Sequence, residues 1–295
     1  VSVHEFGHQY FYGMLGSNEF EEPWLDEGFN SWFTAKAMEE TYHGLFSSRR
    51  LHTPSDFQEW SGYWLAPSTD PLTRKGWLLK DQEAYWILAY NKPTMVLDQL
   101  EALLGRPVME RVMKAYTMEM AMKHPTRADF KRIAERVSGR DLSAFWRDFV
   151  EGTGVLDYAI DEVSVRTRQQ GGWMDSPKGP KFVAPGVVAD GRSGAITLER
   201  KGEIQVPVTL WVRLESGKEL RLTWDGQDRW RTFTADDGLD APVASAVLDP
   251  DGNYPMLKDR LHASWTAAPA TRGIHYWSQL LWGGLTALLQ GAGLG

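Results

Sequence analysis

The sequence predicts an α+β protein in which helices fill the first half and strands fill much of the second. Up to about residue 158, apolar side chains recur at helical spacing between short turns. After residue 158, apolar and polar side chains alternate, which is typical of half-buried strands. We therefore predict a helical region over 1–158, a small β-sandwich-like domain over 159–265, and a C-terminal helix or tail over 266–295.

The amino-acid composition limits the classes of protein to which this chain can belong. A chain of 295 residues with 42% hydrophobic content can bury a large core, and its length favours two domains. The formal net charge of −7 argues against a nucleic-acid partner, because phosphate binding needs a clustered basic surface. The absence of cysteine excludes disulfides and thiolate metal sites.

The first predicted helix carries the motif His4-Glu5-Phe6-Gly7-His8. On a helix, His4 and His8 are four residues apart, so both imidazoles project from one face toward a single metal ion. A catalytic zinc ion typically has three protein ligands and a water molecule. Glu5 is placed to take a proton from that water rather than to bind the metal.

A second helix is predicted to begin near Glu27. Turn formers separate it from the first helix, and Pro23 suits the first turn of a helix. This arrangement delivers the Glu27 carboxylate to the two histidines. We predict one zinc ion per chain, held by His4, His8 and Glu27.

These two segments, His4 to Phe11 and Trp24 to Phe29, closely resemble the zinc motifs of the aminopeptidase N-like gluzincin metallopeptidases, bacterial members among them. The resemblance implies a thermolysin-like helical catalytic domain, of which the helical region over 1–158 is the C-terminal part, followed by the small β-sandwich-like domain. Two positions depart from the family pattern: Asp26 replaces the usual Asn, and Asn30 replaces the usual Ala. We expect neither change to touch a ligand.

The family also carries a tyrosine ahead of a Lys-Gly pair, and Tyr90-Asn91-Lys92-Pro93 matches that position. Pro93 stands where Gly is commoner. The resemblance implies that Tyr90 donates a hydrogen bond to the developing oxyanion. From the residues alone, the expectation for Tyr90 is a core aromatic among Tyr85, Trp86 and Leu88. We expect Tyr90 at the start of a helix that runs to about Leu104, because proline is tolerated at a helix start.

Three further helices follow. One opens at Pro107 and runs to about Met122. The next covers 127–137, with Thr126 and Asp129 forming a capping box and Gly139 ending it. The last covers 142–151 and has Asp141 as its N-cap.

The β region is marked by alternation over 206–214, a turn at Ser216-Gly217, and further strands over 219–224 and 244–248. The stretch Gln169–Gly186 contains several Gly and Pro residues. We predict that it is a linker or a long loop.

The last twenty residues, 276–295, form an uncharged and largely apolar run. Its length is at the threshold for spanning a membrane. Glutamines and glycines lower its hydrophobicity, so a docked terminal helix is the first expectation, and an interfacial membrane or oligomer contact is the alternative. We expect an extracytoplasmic or membrane-associated location in a bacterium.

The resemblance implies zinc-dependent hydrolysis of peptide bonds, with peptides as substrates and removal of N-terminal residues. In this interpretation zinc polarises the carbonyl and holds the attacking water, and Glu5 is the general base. The family's amine-binding segment would lie upstream of His4, and we expect the chain to be a fragment whose upstream part is missing. Two alternatives stay open: another zinc hydrolase on the same scaffold (an endopeptidase or epoxide hydrolase), or a non-catalytic scaffold.

Overall fold

The computed structural model describes residues 1–42, 57–66, 70–174 and 179–268. Helices occupy the first part of the chain and antiparallel strands the second. The helices are α1 (Ser2–Gly7), α2 (Glu27–Tyr42), α3 (Phe57–Leu65), α4 (Gln82–Trp86), α5 (Lys92–Leu104), α6 (Arg106–Met120), α7 (Arg127–Ser138) and α8 (Ser143–Phe145).

Seven strands in the described residues form two antiparallel sheets. The three-stranded sheet has the order β1-β2-β5, and the four-stranded sheet has the order β4-β3-β6-β7. The predicted mixture of helix and sheet is therefore confirmed. The strands are β1 (Tyr158–Met174), β2 (Lys181–Arg200), β3 (Val208–Leu214), β4 (Glu219–Trp224), β5 (Trp230–Phe233), β6 (Val243–Leu248) and β7 (Ser264–Thr266).

Local sequence signals explain where several helices begin and end. Thr126 and Asp129 form the predicted capping box of α7, and Gly139 ends that helix in the left-handed conformation at φ 70°. The Asp141 carboxylate accepts a hydrogen bond from Ser143 N at 2.8 Å, and the chain then continues through α8 into a π-helical turn, Trp146–Val150. The helix predicted over 142–151 is thus formed over 143–150 with a wider last turn, and its N-cap is Leu142 rather than the predicted Asp141.

One continuous hydrophobic core joins the helical and sheet parts. Phe29 of α2 packs edge-on against Phe130 of α7, with ring centroids 4.8 Å apart, and the inward side chains of β3 and β6 belong to the same core. The buried Gln99 of α5 donates to the carbonyl of Asn253 at 2.9 Å. α5 therefore contacts the connection between β6 and β7, two strands of the four-stranded sheet.

The prediction of a linker over Gln169–Gly186 is wrong. Apart from Gly179 and Pro180, the described residues of this stretch lie in β1 and β2, whose backbones pair from Tyr158↔Arg200 to Met174↔Lys181. Register shifts occur after Thr167 and after Gln170. Cross-strand hydrogen bonding between two long strands outweighs the local Gly and Pro signals, and such irregularities are where glycine is tolerated in a strand.

The expected helix start at Tyr90 is also wrong. Tyr90 lies inside a π-helical turn, Ile87–Asn91, that joins α4 to α5 without a break. The N-cap is Asp81, whose carboxylate accepts from Ala84 N at 2.9 Å. The wider π turn accommodates Pro93 within the helix, where a regular α-helix would lose a hydrogen bond and clash.

The predicted apolar tail over 276–295 lies outside the described residues. Within the part of the chain that the structure describes, no helix is both long and apolar enough to cross a membrane.

Candidate metal centre

Three side chains meet at the junction of α1 and α2. His4 Nε2 lies 3.1 Å from Glu27 Oε2, and His8 Nε2 lies 3.4 Å from the same oxygen. All three potential ligand atoms lie within 4.8 Å of one another. Two ligands of a tetrahedral zinc ion at about 2.0–2.1 Å would be roughly 3.4 Å apart, so the two distances from Glu27 to the histidines suit such an ion.

Glu27 reaches the histidines because the chain before it is tightly anchored. A 3₁₀ turn, Pro23–Leu25, buries Trp24 and Leu25 in the core. Glu22, just before that turn, accepts from Arg127 Nη1 at 2.6 Å and from Arg127 N at 3.2 Å. The paired Glu22 fixes the start of α2 against α7, and Glu27 is the first residue of α2.

Tyr90 also lies at this junction. Its hydroxyl donates to Glu27 Oε1 at 2.5 Å, and its ring centroid is 5.9 Å from that of His4. The close approach depends on Gly28, since a Cβ at that position would lie 2.5 Å from Pro93 Cβ. Gly28 and Pro93 therefore pack α2 directly against the π turn that carries Tyr90.

The electrostatics of the group follow from these hydrogen bonds. Burial alone would raise the pKa of Glu27, but hydrogen bonds from His4 and Tyr90 outweigh it and hold that pKa below its ordinary value. Burial, and then the hydrogen bond to Glu27, raise the pKa of Tyr90. Glu27 is thus kept as a carboxylate able to ligate a cation, and Tyr90 is kept as a neutral hydrogen-bond donor.

Asp26 contacts a candidate ligand, contrary to our expectation that neither departure from the family pattern would. Its Oδ1 accepts from His8 Nδ1 at 2.8 Å, and the carbonyl of Phe11 lies 3.1 Å from the same nitrogen. Placing the proton on Nδ1 leaves His8 Nε2 with a lone pair directed to the metal position. Burial raises the pKa of Asp26 to about 6, and the proximity of His8 opposes that shift.

Asn30, the second departure, is buried and contacts α1. Its Nδ2 donates to the carbonyl of His4 at 2.8 Å. Sequence reasoning missed this contact, although a signal was present: Asn30 is three residues after Glu27 and shares its helix face. A polar residue on the face that carries a metal ligand is a candidate for supporting that ligand.

Glu5 differs from the other members of the group. Its side chain is exposed, next to the half-buried His4. Among the described residues, the structure gives the Glu5 carboxylate no hydrogen bond or ion pair. The Glu5 carboxylate is therefore accessible to solvent.

Comparisons with known proteins bear on this geometry. Residues 1–149 match a family described as the peptidase family M1 domain. The probable aminopeptidase 2 of Sulfurisphaera tokodaii is 25% identical over 174 residues, which are 56% of this chain and 21% of that protein. Aminopeptidase N of Streptomyces lividans is 26% identical over 162 residues, 52% of this chain and 18% of that protein.

A solved structure shares the fold. The crystal structure of Legionella pneumophila aminopeptidase A in complex with aspartic acid matches with a TM-score of 0.51 at 17% identity. The match covers 86% of this chain and 26% of that one. The matches to the two curated relatives, from Sulfurisphaera and Streptomyces, cover only about a fifth of the length of each relative.

Proposed function

Since the chain belongs to peptidase family M1, we propose that it forms the metal-binding part of a zinc enzyme that removes N-terminal residues from peptides. The family match covers the whole α1 to α8 region with the candidate site. The names of the two curated relatives, both aminopeptidases, support action at the N-terminal residue of a peptide substrate.

The convergence of His4, His8 and Glu27 carries the proposal. Their ligand atoms lie at separations that suit one tetrahedral ion, and each side chain is at least partly buried. Zinc held there would supply a Lewis acid and lower the pKa of its bound water. The remaining chemistry is assigned to residues of this chain.

Glu5 acts as the general base and then carries the proton to the leaving amine, because it follows the first ligand and its carboxylate is exposed. Tyr90 donates its hydroxyl hydrogen to the oxyanion of the substrate carbonyl. The raised pKa of Tyr90 supports this role, since the group stays protonated at neutral pH. In the free protein the same hydrogen goes to Glu27.

The proposal also includes the arrangement of the two helices at the site and the position of the domain boundary. A thermolysin-like arrangement would have two packed helices supply two histidines and a glutamate, and the contacts between α1 and α2 support it. We place the boundary between the helical and β-sandwich-like domains near residue 158, where β1 begins.

The experiment compares two substrates on the purified intact protein: an aminoacyl amide with a free α-amine, and its N-acetylated counterpart. An aminopeptidase holds the α-ammonium by charge and hydrogen bonds, so acetylation removes that recognition. We expect cleavage of the free-amine substrate alone and loss of that cleavage with a zinc chelator.

A Glu5→Gln variant serves as the control for contaminating peptidases, because it should bind zinc yet lack turnover. Equal cleavage of both substrates, or preference for the acetylated one, would favour an endopeptidase. Zinc-loaded protein that cleaves neither substrate would favour a different hydrolase or a non-catalytic scaffold.

A further inference from the structure

Asn30 is fully buried where α2 meets the turn between His4 and His8. Its side chain is 0% exposed, and its Nδ2 donates to the carbonyl oxygen of His4 at 2.8 Å. A carbonyl can only accept a hydrogen bond, so this contact fixes the orientation of the Asn30 amide. The amide oxygen, Oδ1, therefore points the other way.

Gly7 lies where Oδ1 points. A Cβ built on Gly7 would be 1.9 Å from Asn30 Oδ1 and 3.0 Å from its Cγ. Only a hydrogen fits there, so Asn30 and Gly7 are mutually dependent. Oδ1 is buried without a hydrogen-bond partner among the described residues. A buried polar atom of this kind calls for an explanation.

The carbonyl that Asn30 holds belongs to the turn between the two histidines. His4 O also accepts from His8 N, at 3.3 Å. α1 has only six residues, and Val3 and Phe6 on it are exposed. A helix this short is not stable by itself, so its position must come from contacts with neighbouring elements.

We propose that Asn30 and Gly7 form a lock, called here the 7/30 lock, that positions His4 and His8 relative to Glu27. Asn30 and Glu27 share one face of α2, so the lock ties the histidine-bearing turn to the element that carries the third ligand. Asn30 is thus a positioning residue: it acts through the backbone of a ligand and contacts neither metal nor substrate. This proposal rests on the proposed zinc site.

Zinc affinity, measured by competition with a chelator, tests the lock in the intact protein. Asn30→Ala removes the amide and should weaken zinc binding by about tenfold, as supporting contacts of metal ligands do. Asn30→Asp keeps the shape of the side chain but places a carboxylate oxygen, which cannot donate, against the His4 carbonyl oxygen. It should therefore not restore the zinc affinity. Visible absorption of the cobalt-substituted protein should shift in both variants, because the ligand geometry changes.

Gly7→Ala should weaken binding as well and lower the melting temperature, since the new methyl group collides with Oδ1. The double variant Gly7→Ala/Asn30→Ala should melt above Gly7→Ala and bind zinc no more weakly than Asn30→Ala, because the colliding atom is gone. Such non-additivity is the signature of a direct contact.

Gln99→Ala is the matched control. Gln99 is also a buried amide that donates to a backbone carbonyl, at 2.9 Å, but it lies at the contact with the sheet. It should lower the melting temperature without changing zinc affinity or the cobalt spectrum. Equal effects of Gln99→Ala and Asn30→Ala on zinc affinity would mean that Asn30 contributes only to the packing of the fold. That result would overturn the lock.

Affinities within twofold of wild type for both Asn30 variants would also overturn the lock while leaving the proposed function intact. Wild-type protein that binds no zinc would instead refute the proposed function. In that case the melting temperatures still test the contact between residues 7 and 30. A double variant whose decrease in melting temperature equals the sum of the two single decreases would refute that contact.

Discussion

Replacing Asp26 by Asn tests how the protein prepares His8 for a metal. The carboxylate is 3% exposed and accepts the Nδ1 proton of His8 at 2.8 Å. Asn keeps the shape and an acceptor oxygen but removes the charge. Hydrogen bonds to charged groups contribute about 1.5–3 kcal/mol and neutral ones about 0.5–1.5 kcal/mol. A loss of about 1.4 kcal/mol corresponds to roughly tenfold weaker zinc binding.

The assay is chelator competition at neutral pH, with Asp98→Asn as the control. Asp98 accepts from the indole Nε1 of Trp32 at 2.9 Å, away from the candidate metal centre. The same chemical change there should leave zinc affinity unaltered. Zinc affinity that is unchanged in Asp26→Asn, or lowered equally in Asp98→Asn, would refute the role of the Asp26 charge.

Asp26→Asn should weaken zinc binding, but it should not destabilise the metal-free protein near neutral pH. Burial raises the pKa of Asp26 from 3.8 to about 6. A folded-state pKa above the unfolded value contributes stability that is present below about pH 4 and is lost as the pH rises through about 6. Asp26→Asn should flatten that part of the pH profile of the unfolding free energy. A profile that keeps its slope in the variant would contradict the shifted pKa.

Three further substitutions probe the chemistry and the packing of the site. Glu5→Gln should retain zinc and abolish turnover, and a variant that hydrolyses normally would remove Glu5 from the reaction. Tyr90→Phe removes the hydroxyl, and with it both the oxyanion contact and the hydrogen bond to Glu27. It should lower kcat by about 10²-fold with little change in KM, because the oxyanion contact is made in the transition state; unchanged kcat would leave Tyr90 with a packing role only. Gly28→Ala should destabilise the fold by about 1–3 kcal/mol, since its methyl group meets Pro93, and should reduce kcat by moving Tyr90; a stable and fully active variant would contradict that packing.

The sequence was sufficient to predict that the side chains of His4, His8 and Glu27 meet. The spacing of His4 and His8 requires only a helix, and the turn formers and Pro23 ahead of Glu27 are local signals. The capping box of α7 is likewise a local pattern. Features determined within one turn of chain can be predicted because few alternative structures satisfy the same hydrogen bonds.

Features that depend on distant partners could not be predicted. Gly28 packs closely on Pro93, just after the π turn that carries Tyr90, and these two residues are 65 positions apart in the sequence. The pairing of β1 with β2 depends on cross-strand register rather than on local composition. The contacts of Asp26 and Asn30 needed the orientation of α1 on α2, which no local pattern gives.

Zinc content of the purified intact protein, measured by elemental analysis, tests the central claim most directly. His4, His8 and Glu27 provide three ligand atoms within 4.8 Å of one another, so we predict one zinc ion per chain. Glu27→Ala should lose most of that zinc, whereas Glu5→Gln should keep it. Wild-type protein without zinc, or Glu27→Ala protein that retains it at normal affinity, would contradict the assignment of the metal centre.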